Sequence, residues 1–163
     1  MNFEKAIEEI YQAMHKVSAE KLISEFKQVL SGSIKAFIPG VENPEYYEVW
    51  FYSLYDFQYT VVGWENYSFS IQTKEIEDTI QSVLGPSIHD AFNTGQLLEL
   101  QVKTEFRFVS DCWEEAKRDL NPQARGFFIE HVILRGWDMD RRTLIDADDI
   151  ERTLEQEGIK YHQ

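Results

Sequence analysis

The sequence predicts an α+β fold: a single domain spanning residues 1–163, with a long N-terminal helix and an antiparallel sheet of about five to six strands. Helices are expected mainly on one side of that sheet. Three observations support this. The first thirty residues carry apolar side chains at helical spacing, the middle of the chain is crowded with aromatic and β-branched residues, and turn residues punctuate both halves. A length of 163 residues suits one domain.

Phe3, Ile7, Ile10, Met14 and Val17 share one helical face, and Leu22, Phe26, Val29 and Leu30 continue it. Ser18 marks an interruption or a second start, and Gly32 is a natural stop. Ile34–Ile38 reads as a short strand. Tyr46–Leu54, Gln58–Trp64 and Ser68–Gln72 then read as an antiparallel meander turning at Asp56 and at Glu65-Asn66. Thr73 caps a predicted helix over Lys74–Leu84, ended by Gly85-Pro86. A short helix follows over Ser87–Asn93, stopped by Gly95.

Leu98 to Phe108 alternates apolar and polar residues strictly, which predicts a strand with one buried and one wet face. Asp111-Cys112-Trp113-Glu114 fits a capping box opening a helix to Leu120, with Trp113, Ala116 and Leu120 inward. Gly126–Arg135 reads as one buried strand, Asp138–Arg142 as a turn and Thr143–Ile145 as a short strand. Asp146 caps a final helix to Glu157, burying Ile150 and Leu154, with Gly158 at its end.

The net charge of −13 is unevenly spread. Residues 1–35 and 100–137 are balanced, whereas 36–73 contribute −5 and both 74–99 and 138–163 contribute −4. Such an excess of carboxylates repels phosphate backbones and anionic lipid, so neither nucleic acid nor membrane is the expected partner. One cysteine cannot form an internal disulfide, and Met1-Asn2-Phe3-Glu4-Lys5 lacks a signal-peptide pattern, so the expected location is cytoplasmic.

No phosphate-binding glycine loop, H-E-x-x-H, C-x-x-C or G-x-S-x-G occurs. The acidic run from Asp138 places Asp140, Asp146 and Asp149 at calcium-loop positions. Arg142 and Thr143 stand where an oxygen ligand and a glycine belong, which defeats the match. Cys112 beside Asp111 reads as a packed thiol. His15, His89, His131 and His162 form no metal-type pair. No catalytic residue, metal or cofactor is assigned.

The most unusual stretch runs from Tyr46 to Phe69, with eleven aromatic residues in 24 positions and no Lys, Arg or His between residues 36 and 73. Aromatic anchors rimmed by carboxylates combine buried contact area with electrostatic steering. The expected anchors are Tyr46, Tyr47, Trp50, Tyr55 and Trp64, with Glu45, Glu48, Asp56 and Glu65 as the rim. Val62-Gly63-Trp64-Glu65 is echoed by Arg135-Gly136-Trp137-Asp138, which adds Trp137 and Asp138 to the candidate set. These features predict a small acidic interaction protein that binds a basic protein partner. In size, charge and layout the chain resembles bacterial immunity proteins, and the resemblance implies a toxin-neutralising role. The alternatives are a small-ligand domain whose aromatic pocket holds an apolar or cationic molecule, and a carboxylate- or metal-dependent hydrolase.

Overall fold

The computed structural model describes residues 3–31, 46–51, 58–62, 67–70, 94–130 and 135–159, together with Lys74, Glu75, Asp78 and Ser82. The chain is α+β. Helix α1 (Phe3–Leu30) leads into strands β1 (Tyr46–Phe51), β2 (Gln58–Val62) and β3 (Tyr67–Ser70). Helix α2 (Thr94–Leu120) follows, then β4 (Arg125–Glu130), β5 (Arg135–Asp138), β6 (Thr143–Asp146), a 3-10 turn at Ala147–Asp149 and helix α3 (Ile150–Gln156).

The sheet order is β3-β2-β1-β4-β5-β6. The sheet is mixed, not antiparallel as expected. β1–β2–β3 form the predicted antiparallel meander and β4–β5–β6 a second one. The two join by parallel pairing of β1 with β4, in which Tyr46 faces Arg125 and Phe51 faces Glu130. A parallel neighbour requires a long crossover between the strands, and α2 lies in the stretch of chain between them.

α1 runs unbroken through Ser18, which is buried within it. The predicted stripe is confirmed at Ile7, Ile10, Met14, Leu22, Phe26, Val29 and Leu30, which are all buried. Val17 is the exception, at 38% exposed.

The predicted strand at Leu98–Phe108 is instead part of α2. Val102, Phe106, Val109, Trp113 and Ala116 recur at helical spacing, and all five are buried. Period two and period 3.6 coincide over one or two turns, and the longer stripe decides between them. The polar residues between, Gln101, Lys103, Glu105 and Arg107, are good helix formers. Gly95 therefore lies inside a helix and does not end one. Asp111 is internal to α2, not a cap, and Leu120 is 46% exposed at its end.

The stretch expected as one strand from Gly126 to Arg135 is a hairpin, since β4 and β5 pair with Glu130 opposite Arg135. β5 and β6 form the next hairpin across the predicted turn. Arg142 there adopts the left-handed conformation at φ 58°, and its N–H donates to the Asp138 carbonyl at 2.8 Å. Asp146 belongs to β6 and does not cap α3. Ile150 and Leu154 are buried as expected. Gly158, at φ +78°, ends α3: its N–H reaches the Glu155 carbonyl at 3.0 Å, and that of Ile159 reaches the Leu154 carbonyl at 2.9 Å. The predicted strand at Ile34–Ile38 and helix at Ser87–Asn93 lie outside the described residues. Of the helix predicted over Lys74–Leu84, the four described positions are helical and exposed.

The sheet has a core on each face. On one, Tyr47, Val49 and Phe128 pack with α1 and α2. Paired groups rise together along these two helices: Glu8 with Arg107, Tyr11 with Asp111 and Lys27 with Asp119. They therefore run parallel. On the other face Tyr46, Phe127 and Ile129 pack with Ile150 and Leu154 of α3.

Trp113 is the centre of the larger core. Phe26 meets it edge-on at 5.5 Å and Tyr47 lies tilted at 5.4 Å. Gly126 leaves room for it, because a Cβ there would stand 2.5 Å from the Trp113 ring and 2.7 Å from the Met139 methyl. Gly126→Ala should therefore destabilise the fold by about 1–3 kcal/mol, through overpacking against a ring that cannot retreat. Urea denaturation of the two proteins measures the difference.

Candidate functional site

Most of the described sequence candidates are structural. Tyr46 and Tyr47 are buried on opposite faces of β1, and burial pushes the Tyr47 phenol up to about 12. Glu48 is buried, and Trp50, half-buried, donates to it from Nε1 at 3.2 Å. These residues therefore do not form an exposed aromatic face rimmed by acids. A strand covered on both sides accounts for aromatics at successive positions. Glu45, Tyr55, Asp56, Trp64 and Glu65 lie outside the described residues. Trp137 is half-buried on β5, stacked on Phe106 at 5.3 Å.

Asp138 is buried in an ion cluster where β4 begins and β5 ends. Arg125 Nη2 meets its Oδ2 at 2.7 Å and Nη1 its Oδ1 at 3.1 Å. The same guanidinium donates to Asp140 at 2.7 Å and to Glu157 at 2.8 Å. Asp140 also accepts from Trp113 Nε1 at 2.9 Å, from the Gly126 N–H at 2.8 Å and from Lys117 at 2.5 Å. Two backbone N–H groups, of Asp140 and Arg141, donate to Asp138 at 3.0 Å each. The oxygens weighed as calcium ligands at Asp138 and Asp140 are thus taken by cations and N–H groups of the chain itself. Among the described residues no group of His, Cys, Asp and Glu has a metal-holding arrangement.

Burial works against charge on Asp138, but Arg125 and the two N–H groups outweigh it and hold the carboxyl below its usual range. Its pKa is lower in the folded chain than in the unfolded one. It therefore stabilises the fold above the ordinary carboxylate pKa of about 3.9, and that contribution is lost as pH falls through the folded value. Arg125→Gln leaves carboxylates buried without their cation and should cost about 3–5 kcal/mol. It should also flatten the loss of stability as pH falls from about 4 towards 2, as measured by urea melts at each pH.

Cys112 is buried at the contact between α1 and α2. Burial, with Asp111 and Glu115 nearby, pushes its thiol pKa far up, so it is no nucleophile at neutral pH. His131 lies outside the described residues.

Two features face outward among the described residues. The first is the edge of the sheet at β6, which among the described strands pairs only with β5. Its Thr143, Leu144 and Asp146 are exposed, Leu144 at 59%, and Asp148 is exposed just beyond it. The second is a cavity of about 420 Å³ between α2 and the β5–β6 hairpin, lined by Val102, Phe106, Trp137 and Leu144 with charged residues around them. Of the described sequence candidates, only Trp137 lines it. The short strand around Leu144 is legible in the sequence, but its exposure and edge position are not.

No family model matches the chain, and no curated protein or solved structure matches it either. No described helix is long and apolar enough to cross a membrane.

Proposed function

We propose that the protein is an acidic interaction protein that binds a basic protein partner by strand addition at β6. The observation that carries this reading is the open edge, with Leu144 exposed and the carboxylates of Asp146 and Asp148 free to solvent beside it. An edge strand presents N–H and C=O groups to any extended segment that aligns with it. Leu144 offers an apolar contact, and the carboxylates favour Lys or Arg on the incoming strand. The net charge of −13 adds long-range steering. The aromatic residues of β1 serve here as the core that holds the sheet, not as the anchors. If the partner is a toxic basic enzyme, occupation of the edge is the neutralising event.

Affinity capture from a lysate of the source cell at low and high salt tests this. The expected result is one basic protein retained at low salt and released at high salt. The double variant Asp146→Lys/Asp148→Lys should bind it on the order of tenfold more weakly, with an unchanged melting temperature. Equal capture by the double variant, or no basic protein at either salt concentration, overturns the reading.

A further inference from the structure

The cavity beside that edge inverts the sign of the molecule. Among the described residues, Lys103, Arg107, Arg135 and Arg142 line it against one carboxylate, Glu99, in a chain whose net charge is −13. Its apolar lining comes from Val102, Leu144 and the Phe106 and Trp137 rings, which stack with planes 24° apart. Lys103 has an interaction of its own, Arg107 is committed to Glu8 at 2.6 Å, and Arg142 to Asp111 at 2.7 Å and Glu114 at 2.8 Å.

Arg135 differs. Its Nη1 donates to Glu99 at 2.9 Å, while its Nε and Nη2 are buried with no acceptor. The indole Nε1–H of Trp137 beside it is also buried without one. Unpaired buried donors are rare in folded proteins, and three on residues that line one cavity point to a missing acceptor.

We propose that this cavity binds a small, flat, apolar carboxylate, and that Glu99 holds Arg135 away from the cavity when the site is empty. The ring of the ligand lies on Phe106 and Trp137, and its carboxylate takes the guanidinium fork of Arg135. Nε and Nη2 are closed to solvent, so Arg135 must turn from Glu99 towards the cavity. Glu99, with 38% of its side chain exposed, returns to water. A cationic ligand meets the wrong sign here, and inorganic phosphate leaves the aromatic rings uncovered. The volume is within the ordinary range for small-molecule sites, about 300–1,000 Å³. This site does not require strand addition at β6, although Leu144 belongs to both.

Titration calorimetry with 2-naphthoate, and with neutral 2-naphthamide as control, tests the proposal. Saturable binding of the carboxylate is expected, with the amide at least about tenfold weaker, the worth of a charge-assisted hydrogen bond. Arg135→Gln should bring the carboxylate down to the level of the amide. Glu99→Gln should tighten it about threefold, because an internal competitor is removed. The indole N–H resonance of Trp137 should shift on binding. Equal affinity for carboxylate and amide, weaker binding by Glu99→Gln, or no binding of 2-naphthoate up to about 10 mM overturns the proposal. If Arg135→Gln does not fold, Glu99→Gln and the amide comparison decide it. The Asp148→Lys variant, which leaves Asp146 opposite Arg135 in place, should bind 2-naphthoate unchanged, which separates this site from the acidic rim of the edge.

Discussion

One guanidinium holds the C-terminal half of the molecule together. Arg125 stands at the start of β4 and gathers carboxylates from the end of β5, from the turn after it and from the residue that closes α3. Through Asp140 the cluster also reaches Trp113 and Lys117 of α2. Burying such charges is costly unless each is paired and hydrogen-bonded, and here Asp138 and Asp140 receive N–H groups as well as cations. The directional demands of the cluster fix where α2, the β5–β6 turn and α3 meet, which apolar packing alone leaves looser. Both outward features depend on this. The edge strand and the cavity wall are formed by the hairpin whose turn the cluster clamps.

The aromatic wealth of β1 follows from its place. With β2 on one side and β4 on the other, it lies in the middle of the sheet and is covered on both faces. A strand buried on both faces loses the polar half of its alternation. Tyr46 and Tyr47 therefore belong to different cores although they are neighbours in the chain. The aromatic pattern of β1 is a consequence of central position, and the outward-facing chemistry lies at the β6 edge of the sheet.

The elements legible in the sequence were those whose signal is local. α1, the meander and α3 were readable because their stripes and turn residues extend over whole elements. The region from Leu98 to Phe108 was misread because it satisfies two periods at once, and only Val109, Trp113 and Ala116 further along extend the helical one. β4 and β5 were merged because Glu130 and Arg135 carry no turn signature of their own. The candidate site was less legible. Trp137 was found through the Gly-Trp-acid echo, but Phe106, Glu99 and Arg135 come together only through the packing of α2 on the hairpin. Asp138 was singled out for its charge, and its partner Arg125 lies thirteen positions away with no pattern linking the two.

The parallel seam between β1 and β4 has a kinetic consequence. On either side of it the sheet consists of hairpin-like pairs whose contacts are close in sequence and form early. The seam joins Tyr46 to Arg125 across the span that contains α2. It carries the main loop-closure entropy of the sheet and can form only once that span has been drawn in. Until then, β1 and β4 are two uncovered strand edges rich in aromatic and branched residues. The most aggregation-prone moment for this chain is therefore the interval before its centre closes.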